Sequence, residues 1–166
     1  MNGLENQTYL IAYMAANAIA LFLLFASGKW PRLARSLFVL LFAGASYTNW
    51  WVLATSPKDY LSYADLSFLV LYKDFIHGWF STHIQLVVGF IATIQALIAL
   101  SLLMKGWIYK TGCLAAILFF LLLIPLGVGA AFPCTLILAV ATWILMKNQH
   151  AYLWQYEKRI TAPGID

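Results

Sequence analysis

The sequence predicts an all-α fold: a polytopic transmembrane helix bundle of five spans, with an amphipathic helix on its outer face. Three observations carry that expectation. Hydrophobic residues make up 63% of the 166-residue chain and charged residues only 10%, where a soluble domain of this size carries about 25% charged residues. Several apolar stretches reach the length of about 20 residues that crosses a hydrocarbon core. The basic residues sit at the ends of those stretches, so the net charge of +4 reads as membrane orientation and not as nucleic-acid binding.

The first span is expected at about 8–27. The stretch MNGLENQT before it has no Lys or Arg, so it lacks the basic region of a cleavable leader, and the segment is read as a retained span. The basic stretch Lys29 to Arg35 precedes a second span at about 36–54. A third span at about 83–104 leads into a short basic loop, Lys105 to Lys110.

From Cys113 to Met146 no charge occurs for 34 residues. One straight helix of that length would extend roughly 50 Å, against a core of about 30 Å. The run is interrupted by IPLGVGAAFP, Ile124 to Pro133. Pro125 and Pro133 each lack an N–H, and Gly127 and Gly129 permit positive φ. These four residues predict a structural turn between a fourth span at about 108–126 and a fifth at about 131–146.

Charge supports the count. Five spans place Lys29, Arg32, Arg35, Lys105, Lys110, Lys147, Lys158 and Arg159 on one side, with only Lys58 and Lys73 opposite. That bias predicts an N-terminus outside and a C-terminus in the cytoplasm. Trp50, Trp51 and Trp79 then fall at the outer interface, and Trp30, Trp107 and Trp143 toward the inner one. Residues 1–147 form a single bundle and 148–166 a cytoplasmic tail.

Between spans two and three, Leu61, Ala64, Phe68, Leu71, Tyr72, Phe75 and Trp79 recur at helical spacing, predicting an outer amphipathic segment over 60–79. Tyr152, Leu153, Tyr156 and Ile160 repeat the pattern in the tail. Small residues mark contact faces in the spans: Ala12, Ala16 and Ala20; Ala43 to Ser46; and Gly89, Ala92, Thr93, Ala96 and Ala99. Asn17 and Gln95 fall near mid-span, read either as an interhelical hydrogen bond or as ligand contacts, the former preferred.

The chemistry on offer is sparse. No Asp, Glu, Lys or Arg lies in the middle of a span, which argues against proton relays and ion-coupled transport. Cys113 and Cys134 form no CxxC motif and read as small core residues. The polar residues concentrate near the outer segment: Asn49, Tyr60, Asp65, Tyr72, Asp74, His77 and His83. Asp74 and His77 share a helical face, and with His83 they offer an acid–base or metal-binding grouping, but no metal-ligand spacing is matched and no metal is assigned. The seven are candidate ligand-binding residues on the rim of a quinone or lipid pocket, with ordinary interfacial solvation the plainer reading.

A span opening at Arg35 and ending in Asn49, then Pro57, Tyr60 and Tyr72-Lys73, the loop KGWIYKTG and finally IPLGVGAAFP follow an order that resembles the DoxX-like family of small bacterial membrane proteins. The resemblance covers Arg32 to Lys147, and PLGVGAAFP is its most specific element. It implies a multi-pass protein of the bacterial inner membrane, a compact four-helix bundle from which the additional N-terminal span is a departure, and a link to quinone-dependent oxidoreductase complexes; it carries over no catalytic residue. The expectation is a non-catalytic accessory or interaction subunit of a membrane complex, in contact with lipids and with another membrane protein or its own copies. The alternative is a quinone- or lipid-binding protein linked to an oxidoreductase, its site at the outer leaflet. No intrinsic cofactor is called for.

Overall fold

The computed structural model describes residues 7–67, 69–148 and 153–154, and within them the chain is helical without strands. The long helices are α1 (Gln7–Lys29), α2 (Pro31–Thr55), α5 (Ile84–Leu103), α6 (Gly106–Leu123) and α7 (Cys134–Lys147). Between α2 and α5 lie a 3-10 helix (Pro57–Ser62), the short helices α3 (Tyr63–Leu66) and α4 (Val70–Phe75), and a π-helical turn (Ile76–Phe80). A second 3-10 segment (Ile124–Ala130) separates α6 from α7.

Four stretches are long and apolar enough to cross a membrane: Leu10–Lys29, Pro31–Thr55, Ile84–Leu103 and Gly106–Ala130. The chain is built as a membrane protein is built, with large apolar side chains such as Met14, Leu40, Leu86, Phe90 and Leu122 on the outside of the bundle. The run after Cys113 does turn back on itself. Tyr109 near the start of α6 donates its hydroxyl to the carbonyl of Leu145 near the end of α7, at 2.9 Å, so the two helices are antiparallel. The turn is built at Gly127, whose φ of 59° and ψ of −122° suit only glycine, and at Ala131, which takes the left-handed conformation with φ of 52°. At 14 residues α7 is apolar but short, about 21 Å.

Around the bundle the helices are neighbours in the order α1, α2, α5, α6, α7, with α7 closing back onto α1. A closed ring of five helices, each reversing direction from the last, must contain one parallel pair, and that pair is α1 with α7. Cys134 Sγ donates to the Ala16 carbonyl at 3.4 Å, and Asn148 Nδ2 to that of Ser27 at 3.3 Å, so both helices run the same way.

One end of the bundle carries Lys29, Arg32, Arg35, Lys105, Lys110 and Lys147; the other carries Lys58 and Lys73 with all the short helices. Trp50, Trp51 and Trp79 are exposed toward the short-helix end, and Trp30, Trp107 and Trp143 toward the basic end. The main core, including Ala34, Phe38, Phe42, Leu102, Cys113, Phe120 and Leu145, runs from the basic end to the break after α6. A smaller cluster of Leu53, Ala64, Ile76, Phe80, Ile84 and Val88 seats the short helices on α2 and α5.

Four expectations need correction. The segment 60–79 is not one amphipathic helix: Ser67 is extended (ψ 140°) and Gly78 leaves helical geometry, so the phase is reset twice. Ala64, Ile76 and Phe80 point inward as a result, while Leu71, Phe75 and Trp79 face out. Phe68, and Tyr152, Tyr156 and Ile160 of the tail pattern, lie outside the described residues.

Asn17 and Gln95 do not pair with each other. Asn17 Nδ2 donates to the carbonyls of Tyr13 and Ala131, and Gln95 accepts from Asn49. Of the small-residue faces, Ala43 and Gly44 are exposed and Ser46 makes the contact, donating to the Ala92 carbonyl at 2.7 Å.

Arg35, expected as a flanking charge, is completely buried. Its guanidinium donates to the carbonyls of Leu102 and Met104 at the end of α5 and lies 4.3 Å from the centre of the Tyr109 ring. The last carbonyls of a helix lack intrahelical donors and carry the negative end of its dipole, so a cation is favoured there.

Candidate functional site: two adjoining chambers beside a broken helix

The site forms where the α6–α7 apolar run breaks. A helix end leaves carbonyls unpaired, and in a water-poor surrounding those groups need donors from the protein. Four are supplied by side chains. Tyr72 donates to the Leu122 carbonyl at 3.1 Å and Ser67 to that of Pro125 at 2.9 Å. From α1, Asn17 donates to the Ala131 carbonyl at 3.1 Å and Tyr13 to that of Phe132 at 2.7 Å. The break is thereby fixed between the short helices on one side and α1 on the other.

Around it lie two chambers. The polar chamber has a volume of about 560 Å³ and lies between α1, α2 and the first 3-10 helix, with Tyr13, Asn49, Asp59, Tyr60 and Ser62 on its walls. The aromatic chamber, about 370 Å³ and half open, lies against Phe42, Phe80, Phe119 and Phe120, with Gln95 and Thr135 supplying polar atoms. They share a wall made of Thr48, Asn49, Tyr60, Tyr63 and Gly129. A smaller space of about 140 Å³, under Tyr72 and Phe75, adjoins the same tyrosines.

The shared wall contains a hydrogen-bond chain across three elements. Tyr60 donates its hydroxyl to Asn49 Oδ1 at 2.8 Å, and Asn49 Nδ2 donates to Gln95 Oε1 at 2.7 Å. The Tyr60 ring stacks on that of Tyr63, centroids 6.3 Å apart. Burial pushes the Tyr60 phenol up, and Tyr63 adds to the effect, so Tyr60 keeps its proton and stays a donor. Gly129 is a close-approach position: a Cβ there would lie 2.9 Å from Tyr63 Cδ1 and 3.2 Å from Leu66 Cβ.

The predicted site residues divide. Asn49 and Tyr60 line both main chambers, and Tyr72 lines the smallest. Asp65, Asp74, His77 and His83 line none of the three. The first three are exposed on short helices, and His83 is held locally, its Nδ1 2.9 Å from the Trp79 carbonyl and its ring stacked on Trp79 at 4.3 Å. Among the described residues no three His, Cys, Asp or Glu side chains converge as a metal site would require. Of the predicted turn residues, Gly129 also serves as chamber wall, while Pro125 places its carbonyl for Ser67.

Sequence reasoning missed Thr48, Tyr63, Phe119, Phe120 and Thr135. Thr48 and Thr135 had a signal: each is a hydroxyl near the end of an apolar stretch, beside Asn49 in one case and two residues after Pro133 in the other. The phenylalanines had none, since nothing in an apolar run distinguishes a ring lining a space from one filling it.

No family model, curated protein or solved structure matches this chain.

Proposed function

We propose that this protein is a five-span bacterial inner-membrane protein of the DoxX-like kind that holds an uncharged lipophile, a quinone or a lipid, in the chambers beside its broken helix. The observation that carries this reading is the aromatic chamber itself. Its volume lies within the usual range of small-molecule sites, about 300–1,000 Å³, and it combines apolar walls with a few polar groups held in a hydrogen-bond chain. Of the described charged residues, only Asp59 lines any of the three spaces, which suits the site to binding more than to acid–base catalysis. The protein is read as a non-catalytic component whose redox chemistry, where there is any, belongs to a partner oxidoreductase.

The same geometry supports the proposed topology. Six of the eight described basic residues lie at one end, which supports that end as cytoplasmic and the short helices as outside. Although α7 is shorter than the core is thick, the Ala131 turn above it is level with Asn17, roughly 18 Å from the basic end of α1. That level supports a break at membrane depth, where non-helical backbone is tolerated when it is buried or lines a cavity. The resemblance across Arg32 to Lys147 supports the family placement.

The accessory-subunit reading has its own support. Val70, Leu71 and Trp79 are 69%, 75% and 52% exposed outside the four long apolar stretches, an apolar surface for a membrane partner, a second copy or interfacial lipid. Native mass spectrometry of the protein gently extracted from its own membrane tests both readings. A stoichiometric lipophile that disappears in Phe120→Ala supports the chamber. A stoichiometric protein partner with no lipophile overturns it in favour of the accessory role.

A further inference from the structure

The aromatic chamber contains a buried group that the protein leaves unused. Thr135, on the first turn of α7, is 5% exposed and lines this chamber, and its hydroxyl has no hydrogen-bond partner. Threonine in a helix ordinarily donates back to a carbonyl of the preceding turn; Thr142, one helix half further on, does so to Leu138 at 2.8 Å. A buried hydroxyl without a partner is disfavoured, and native proteins seldom leave one. It stands where the positive end of the α7 dipole favours an oxygen acceptor. Also on the lining, Gln95 accepts from Asn49 through its carbonyl oxygen, which leaves its amide nitrogen as a second donor group.

The rest of the lining decides what carries that oxygen. Phe42 lies 5.3 Å from Phe120 and 5.9 Å from Phe119, ring centre to ring centre, a set of aromatic faces and edges suited to another ring. Among the described residues no Lys, Arg or His lines either main chamber, and the single charge, Asp59, is negative. An anion moved into such a space would lose its hydration without gaining a counter-charge.

We infer that the aromatic chamber selects an uncharged, ring-bearing lipophile with an acceptor oxygen on the ring, and that the Thr135 hydroxyl donates to that oxygen. The inference rests on the reading of the chamber as a ligand site and names the ligand's chemistry. Thr135 acts as an anchor and a specificity determinant, Gln95 as a second donor, and the phenylalanines as the ring cradle. Anionic lipids and fatty acids are rejected by charge, and plain hydrocarbons bind without the oxygen contact.

Three probes with a common tail test this on the full-length protein in detergent: decyl-1,4-benzoquinone, decylbenzene and 4-decylbenzoate, each titrated by native mass spectrometry. Wild type is expected to bind the quinone about tenfold more tightly than either of the others, the ratio one good hydrogen bond supplies. Thr135→Val keeps the shape and removes the hydroxyl. It should lose about that factor for the quinone and nothing for decylbenzene, while Thr135→Ser retains the preference. The unliganded Thr135→Val protein should melt no lower than wild type, because its hydroxyl had no partner to lose. A quinone affinity unchanged by Thr135→Val, or a lower melting temperature in the unliganded variant, overturns the anchor and leaves the ligand site standing. Equal binding of the benzoate overturns the charge selection. If the quinone and decylbenzene both fail to bind wild type, the ligand-site reading itself falls.

Discussion

Asn49 of α2 donates its side-chain amide to Gln95 of α5 at 2.7 Å, and it does so in the wall between two chambers. The bond links neighbouring helices, while Tyr60 on the other side of Asn49 extends it to the short helices. A polar bridge of this kind both aligns helices and lines a site, and the two roles can be separated by measurement.

The pair should be energetically coupled. A double-mutant cycle of Asn49→Ala and Gln95→Ala, read by SDS-induced unfolding in mixed micelles, is expected to give about 0.6–1.7 kcal/mol of interaction, the range found for polar contacts between membrane helices. The same cycle on Asn17 and Gln95 should give none, since Asn17 bonds to Ala131 instead. Coupling in the second cycle and not the first would contradict this network.

Arg35 should matter to stability far more than the other basic residues. Its hydrogen bonds to the Leu102 and Met104 carbonyls are charge-assisted, the first buried and the second half-buried. Arg35→Leu is expected to cost at least about 1.5–3 kcal/mol, the worth of one hydrogen bond to a charged group. Arg35→Lys should recover only part, because an ammonium lacks the planar fork that reaches two carbonyls. Lys110→Leu, at an exposed position, serves as the comparison and should change stability little. Equal losses at the two positions would rule out the buried role.

Gly129 should be sensitive to any side chain. Its added Cβ meets Tyr63 at 2.9 Å, so Gly129→Val must displace the ring or the 3-10 segment. The expected stability loss is about 1–3 kcal/mol from overpacking. If the chamber holds the proposed lipophile, its loss should accompany the substitution, because the position belongs to the shared wall. Gly28→Val, which meets nothing within 4 Å, controls for loss of backbone freedom in a helix. A Gly129→Val protein that folds and keeps its ligand unchanged would show that the wall can move aside.

Topology is directly measurable. The native Cys113 and Cys134 are both buried, which limits their reaction with a membrane-impermeant maleimide. Introduced one at a time, Lys58→Cys should label from outside intact cells, and Lys105→Cys and Lys147→Cys only after lysis. The comparison of Lys105 with Lys147 is the decisive one: five spans put them on the same side, whereas a single kinked final span would put them on opposite sides.

What the sequence by itself determined is what depends on composition, length and local backbone preference. The four long apolar helices, the basic bias of one end and the reversal at Ile124–Pro133 were all legible. A 34-residue uncharged run is too long for one straight crossing, and Gly127 at a φ of 59° is where the chain could turn. Asn49 and Tyr60 were legible as polar residues in a setting that disfavours them.

What only the tertiary structure decided is everything that depends on which helix stands beside which. Closing the ring with a parallel α1–α7 pair brought Tyr13 and Asn17 to the carbonyls of the turn, 119 and 114 residues away in sequence. It separated Asn17 from Gln95, and it left a space among Phe42, Phe119, Phe120 and Thr135 that no periodicity could announce. The helical repeat reports which residues share a face, but inside lipid every face is apolar, and only packing against specific neighbours decides which face is covered, which borders lipid and which encloses a cavity.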